Sequence, residues 1–112
     1  AINAGIKAID FNSLNARNHI TTGNNYLKSK HSLNAIKQFN QAIELMPFNV
    51  LTLLNLASAY KMSSNVQMEY KTLNTVLDID PKNVIASTRL VRIFTEKKLY
   101  KEATVVFRKL KD

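Results

Sequence analysis

The 112 residues contain no cysteine and no tryptophan. Without cysteine there is no disulfide framework, no thiolate zinc site and no cysteine nucleophile. The same absence leaves cytoplasm and periplasm equally open as compartments. Glycine and proline occur only twice each, too few for an all-β fold with many tight turns. No apolar run approaches the roughly 18–20 residues of a membrane-spanning helix. Residues 1–15 include Asp10 and three asparagines. They lack a basic stretch followed by a purely apolar one, so they do not read as a signal peptide. Acidic residues are scarce, 8 against 16 Lys and Arg, leaving a net charge of +8.

Catalytic signals are also missing. There is no glycine-rich phosphate loop and no nucleophile motif. His19 and His31 are too far apart for a metal pair on one helical turn, and neither has an acidic neighbour in sequence. Asp78 and Asp80 flank a helix end beside Pro81. Glu44, one period earlier than Asp78, marks an acid there as part of a repeat. No catalytic residue, metal ligand or cofactor site is expected. The basic residues are scattered, without the aromatic or glycine-rich interleaving that nucleic-acid binding favours.

What is present is a repeat of 34 residues. Ala8-Ile9-Asp10 returns as Ala42-Ile43-Glu44 and as Val76-Leu77-Asp78. Asn15 returns as Asn49 and Asn83, Tyr26 as Tyr60 and Phe94, and Pro47 as Pro81. Self-similarity at one fixed period identifies a stacked array whose units cannot bury their apolar faces alone. Within 16–49, Leu33, Ile36, Phe39, Ala42, Ile43 and Met46 follow the spacing of an amphipathic helix. Ser29-Lys30-His31-Ser32 suits a turn, with Ser32 as a helix cap. Pro47 ends the helix before it. Each unit is therefore two antiparallel helices. The units are 16–49, 50–83 and a shortened 84–112. Residues 1–15 hold the second helix of a partial earlier repeat, which makes seven helices with a turn near 12–15. The chain then opens and closes in mid-repeat, as a segment of a longer array would.

Gly23-x2-Tyr26, Ala35-x3-Phe39-x2-Ala42 and Pro47 together resemble the tetratricopeptide repeat. Leu56-Ala57-x2-Tyr60 and Pro81 continue the pattern, as do Leu90, Phe94, Ala103 and Phe107. The resemblance spans nearly the whole chain. It departs where tryptophan is common, with His19, Leu53 and Ser87 there instead, and at Glu69 and Leu73. It implies an all-α, right-handed superhelical array of antiparallel helix pairs. Small residues (Gly23, Ala35, Ala42, Ala57, Ala103) permit close helix approach. Aromatic ones (Tyr26, Phe39, Tyr60, Phe94, Phe107) fill the space between.

In such arrays the first helix of each repeat lines a concave surface. Here those helices carry Arg17, Lys28, Lys61, Arg89, Arg92 and Lys97, against one acid, Glu96. The resemblance thus implies a non-catalytic protein-binding module with a basic groove for a protein or acidic peptide segment. Some members grip a C-terminal carboxylate with two Asn, two Lys and one Arg. Asn24, Asn55 and Arg89 match that set, whereas Ile20 and Ile85 stand in the lysine positions. The expected peptide-binding residues are Asn24, Lys28, Asn55, Ser58, Arg89 and Arg92. The amides suit a peptide backbone, and Arg89 can fork onto a carboxylate. Leu27, Leu51, Leu54, Met62 and Ile85 are candidates for apolar contact beside them. A parent scaffold, secretion or assembly protein fits this reading. The alternative is end-to-end self-assembly through Ile2, Ile6 and Ile9 at one end and Val105, Val106 and Leu110 at the other.

Overall fold

A computed structural model describes the backbone of residues 2–111 and the side chains of residues 13–111. Six helices follow one another: α1 (Ile2–Lys28), α2 (Ser32–Leu45), α3 (Val50–Met62), α4 (Val66–Ile79), α5 (Val84–Glu96) and α6 (Tyr100–Lys111). No strand occurs among the described residues. Each helix packs on the next, and α1 also touches α3. This is an array of hairpins in which α1, α3 and α5 are the first helices.

The seventh helix and the turn near 12–15 are not found, because α1 runs unbroken through them. The repeat itself explains why. Pro47 and Pro81 follow the ends of α2 and α4, and proline blocks helical geometry just before it. Ser13 occupies the equivalent register and retains its N–H. Asn49 and Asn83 cap α3 and α5 by accepting from the N–H of Thr52 and Ala86, at 2.9 and 2.8 Å. Asn15 lies inside a helix and caps nothing. The expected cap at Ser32 is also corrected: Ser32 is the first helical residue, and His31 before it makes no side-chain cap.

The three turns within hairpins share one construction. Lys30, Ser64 and Lys98 have φ of 64°, 61° and 61°, again 34 residues apart. At the first turn the His31 N–H donates to the Tyr26 carbonyl at 2.8 Å and that of Lys30 to Leu27 at 3.0 Å. The pattern recurs at Asn65 and Ser64, and at Leu99 and Lys98. It is a Schellman ending, whose left-handed residue is usually glycine.

The core follows the expected small and large positions. Gly23, Ala35, Ala42, Ala57 and Ala103 are buried, and Phe39 is fully so. A Cβ built on Gly23 would lie 2.6 Å from the Phe39 ring. Leu73 holds the Phe39 register in α4, and Ala57 the Gly23 register in α3; both belong to the second cluster, with Leu53, Leu90 and Ile93. Phe107 does not fill a core site as expected. It is 52% exposed, with Lys111 Nζ 4.9 Å above its ring. Val91 takes the Gly23 register there, and no described helix follows α6. At the same end Val105 is exposed, while Val106 and Leu110 are half-buried. The side chains of Ile2, Ile6 and Ile9 lie outside the described residues.

Gly23→Ala is expected to destabilise the fold by up to about 2 kcal/mol, because overpacking against a buried ring costs about 1–3 kcal/mol and helix propensity returns about 1 kcal/mol. Urea denaturation of Gly23→Ala alone and with Phe39→Leu checks it; the second change should restore part of the loss. Lys98→Gly should stabilise by about 0.5–1 kcal/mol. A left-handed non-glycine residue costs roughly 1–2 kcal/mol, and the flexibility of glycine returns part of that. A lowered melting temperature would contradict it.

Candidate functional site

The exposed stripes of α1, α3 and α5 have identical spacing. Arg17, Thr21, Asn24 and Lys28 lie at i, i+4, i+7 and i+11 of one helix face. In the same registers, α3 offers Leu51, Asn55, Ser58 and Met62, and α5 offers Ile85, Arg89, Arg92 and Glu96. Hydrogen bonds join the stripes. Asn55 Nδ2 donates to Asn24 Oδ1 at 3.1 Å. Arg89 Nη1 donates to Ser58 Oγ at 3.0 Å and to the Leu54 carbonyl at 3.1 Å. The Ser58 hydroxyl donates to that same carbonyl at 3.2 Å. Asn24, Asn55, Ser58 and Arg89 are thus brought onto one continuous face.

Arg89 is half-buried, and only its Nη1 is engaged among the described residues. The Nε and Nη2 donors remain for another group, and no described carboxylate pairs with it. Asn24 keeps its amide N–H groups, and Asn55 its carbonyl oxygen, a combination that matches a peptide unit. Lys28 and Arg17 are exposed on the α1 stripe, and Lys61 is exposed in the last turn of α3.

Arg92 differs from the expectation of a free ligand contact. Its Nη2 bonds Glu69 Oε2 at 2.5 Å, and its Nη1 lies 3.3 Å from Glu96 Oε1. Glu69 is 1% exposed, and Arg92 is tied to it from the α1–α3–α5 stripe. Glu69 stands where the other two hairpins have alanine. An acid in a register that the repeat buries is a sequence signal for a paired charge, but it does not say which cation pairs with it. Two apolar candidates are corrected as well. Leu54 is 5% exposed and belongs to the core, and Leu27 packs against the first hairpin's cluster. Leu51, Ile85 and Met62 remain open, at 67%, 51% and 44% exposure.

The histidines take structural places. His19 Nδ1 is 2.8 Å from Gln38 Oε1, joining α1 to α2. His31 meets Ser29 Oγ at 2.8 Å and the edge of Tyr26. No group of three metal-ligating side chains occurs among the described residues. No helix there is long and apolar enough to cross a membrane.

No family model matches the chain. Its solved likenesses, however, are tetratricopeptide-repeat domains, and the hairpin array has that fold. The TPR domain of Arabidopsis OM64 is 28% identical, with a TM-score of 0.77 over 88% of this chain and 82% of that one. The second TPR of Spaghetti (RPAP3), solved with the HSP90 peptide SRMEEVD, is 21% identical, with a TM-score of 0.80 over 93% of this chain and 95% of that one. Mouse sperm-associated antigen 1 is 39% identical over 74 residues, which are 63% of this chain. The chain spans only 8% of that protein's length.

Arg92→Ala is expected to cost about 2–3 kcal/mol of stability. It leaves the Glu69 carboxylate buried without its partner, a loss moderated by the partial exposure of Arg92. Glu69→Ala with Arg92→Ala should recover much of it, since alanine holds this register in the other two hairpins. Chemical denaturation of the three variants measures both terms.

Proposed function

We propose that the chain is a non-catalytic protein-interaction module whose α1–α3–α5 face binds an extended peptide through a carboxylate at Arg89. The observation that carries this is the unpaired half of the Arg89 guanidinium, held in place by Ser58 and the Leu54 carbonyl. A preset fork suits a carboxylate in two parallel bonds. Asn24 on α1 and Asn55 on α3 supply the donor and acceptor that a peptide unit needs. The RPAP3 domain of like fold was solved with a peptide ending in Asp, which supports a ligand of this class. Ile20 and Ile85 replace the two lysines of the carboxylate-gripping pattern. The affinity of this face then rests on one fixed cation and flanking apolar contact rather than on a ring of cations. Arg17, Lys28 and Lys61 add a long-range attraction that salt screens.

The experiment is fluorescence anisotropy with labelled SRMEEVD and with short peptides ending in an apolar residue. Each is compared with its C-terminal amide. Arg89→Ala should weaken binding by about 1.5–3 kcal/mol, roughly 10- to 150-fold. Equal binding by wild type and Arg89→Ala across the set would remove Arg89 from the site.

A further inference from the structure

The chain breaks its own repeat at Glu69. Ala35 and Ala103 hold the same register in α2 and α6, and both are buried. Glu69 is equally buried, yet it carries a carboxylate. That carboxylate reaches from α4 to Arg92 on α5, and Glu96 closes on the same guanidinium from one turn further on. Two carboxylates therefore share one arginine, leaving an excess of one negative charge. Arg89, three residues earlier, meets no carboxylate among the described residues. Exposed Ile85 lies one turn before Arg89, and exposed Leu51 holds the same register on α3.

We propose that Glu69 is a specificity-determining residue that withdraws Arg92 from the ligand and limits the face to a single carboxylate beside an apolar side chain. The inference rests on the peptide-binding reading above and narrows its ligand. Arg89 attracts the first carboxylate. A second one, arriving one turn along, meets the excess charge of Glu69 and Glu96 instead of a free cation. Like-charge placement of this kind discriminates between ligands by penalising the wrong one. Because Glu69 is buried and Arg92 only partly so, the pair is screened less by salt than surface charges are. The favoured segment has one carboxylate, whether a chain terminus or a single acidic side chain, next to an apolar residue for Ile85 and Leu51. Densely acidic segments are disfavoured.

Two measurements test it. The first compares SRMQQVL, whose only carboxylate is its C-terminus, with SRMEEVL and with an amidated peptide carrying one internal Glu. The amidated arm separates terminal from side-chain carboxylates. Wild type should bind SRMQQVL at least as tightly as SRMEEVL. Glu69→Gln preserves the side chain's volume and removes its charge, and it should shift the ratio toward SRMEEVL by on the order of tenfold. An unchanged ratio in Glu69→Gln overturns the proposal. So does a loss in Arg92→Ala as large as that in Arg89→Ala. The second measurement needs no peptide: the rate at which phenylglyoxal modifies each arginine, read by mass spectrometry. Arg92 should react on the order of tenfold more slowly in wild type than in Glu69→Ala, because ion pairing holds its nitrogens. Equal rates overturn the role of Glu69. Failure of every peptide to bind would instead defeat the peptide-binding reading, while the arginine rates still decide whether Glu69 withdraws Arg92.

Discussion

The seating of the Phe39 ring on the bare backbone of Gly23 sets the distance between α1 and α2, and the rest of the array follows from it. A ring seated this close to the facing backbone leaves no room for a side chain at the contact. Gly23 has none, and the ring then presses outward onto Leu56, Ala59 and Tyr60 of α3. The second hairpin solves the same problem with a smaller pair, Ala57 and Leu73. The third does not solve it. Val91 stands in the Gly23 register, Phe107 turns toward water, and Lys111 covers part of its face. The third hairpin therefore lacks the close ring-to-backbone contact of the first.

The polar face depends on this spacing. Side-chain hydrogen bonds from α1 to α3 and from α3 to α5 need the first helices close together and in register. The bonds use short side chains, Asn24, Asn55 and Ser58, that cannot stretch to mend an error in the helix separation. Two arginines on the same stripe of α5 meet different fates because their neighbours differ. Arg89 is held by neutral oxygens and keeps its charge available. Arg92 is held by carboxylates that neutralise its charge locally. Net charge alone, at +8, does not distinguish the two, since both count equally toward it.

Much of the hairpin pattern was legible because it was written three times. Pro47, Pro81, Asn49 and Asn83 recur at one spacing and act locally, so their meaning does not depend on the tertiary structure. The same logic misled at residues 12–15, where Asn15 suggested a cap but Ser13 lacked the ring that would have stopped the helix. A repeat read from its matches overlooks the mismatch that matters. The positive φ of Lys30, Ser64 and Lys98 was hidden for another reason: nothing in a lysine announces a left-handed backbone. The shared face of Asn24, Asn55, Ser58 and Arg89 was readable from register. The fate of Arg92 was not, because it hangs on a residue 23 positions away that reaches it across a helix boundary.

Arg89 and Asn24 belong to the third and first hairpins, each held by α3 of the second, and neighbouring hairpins are the principal contacts of an array. Such arrays open from their ends, and amide protons near the end exchange with solvent through these partial openings. The third hairpin, with its exposed Phe107, is one such end. A ligand bound at once to Asn24 and Arg89 would fasten the first hairpin to the third, joining units that among the described residues are linked chiefly through the second. Slower proton exchange in α6, which no ligand atom touches, would then record occupancy of a face formed by α1, α3 and α5.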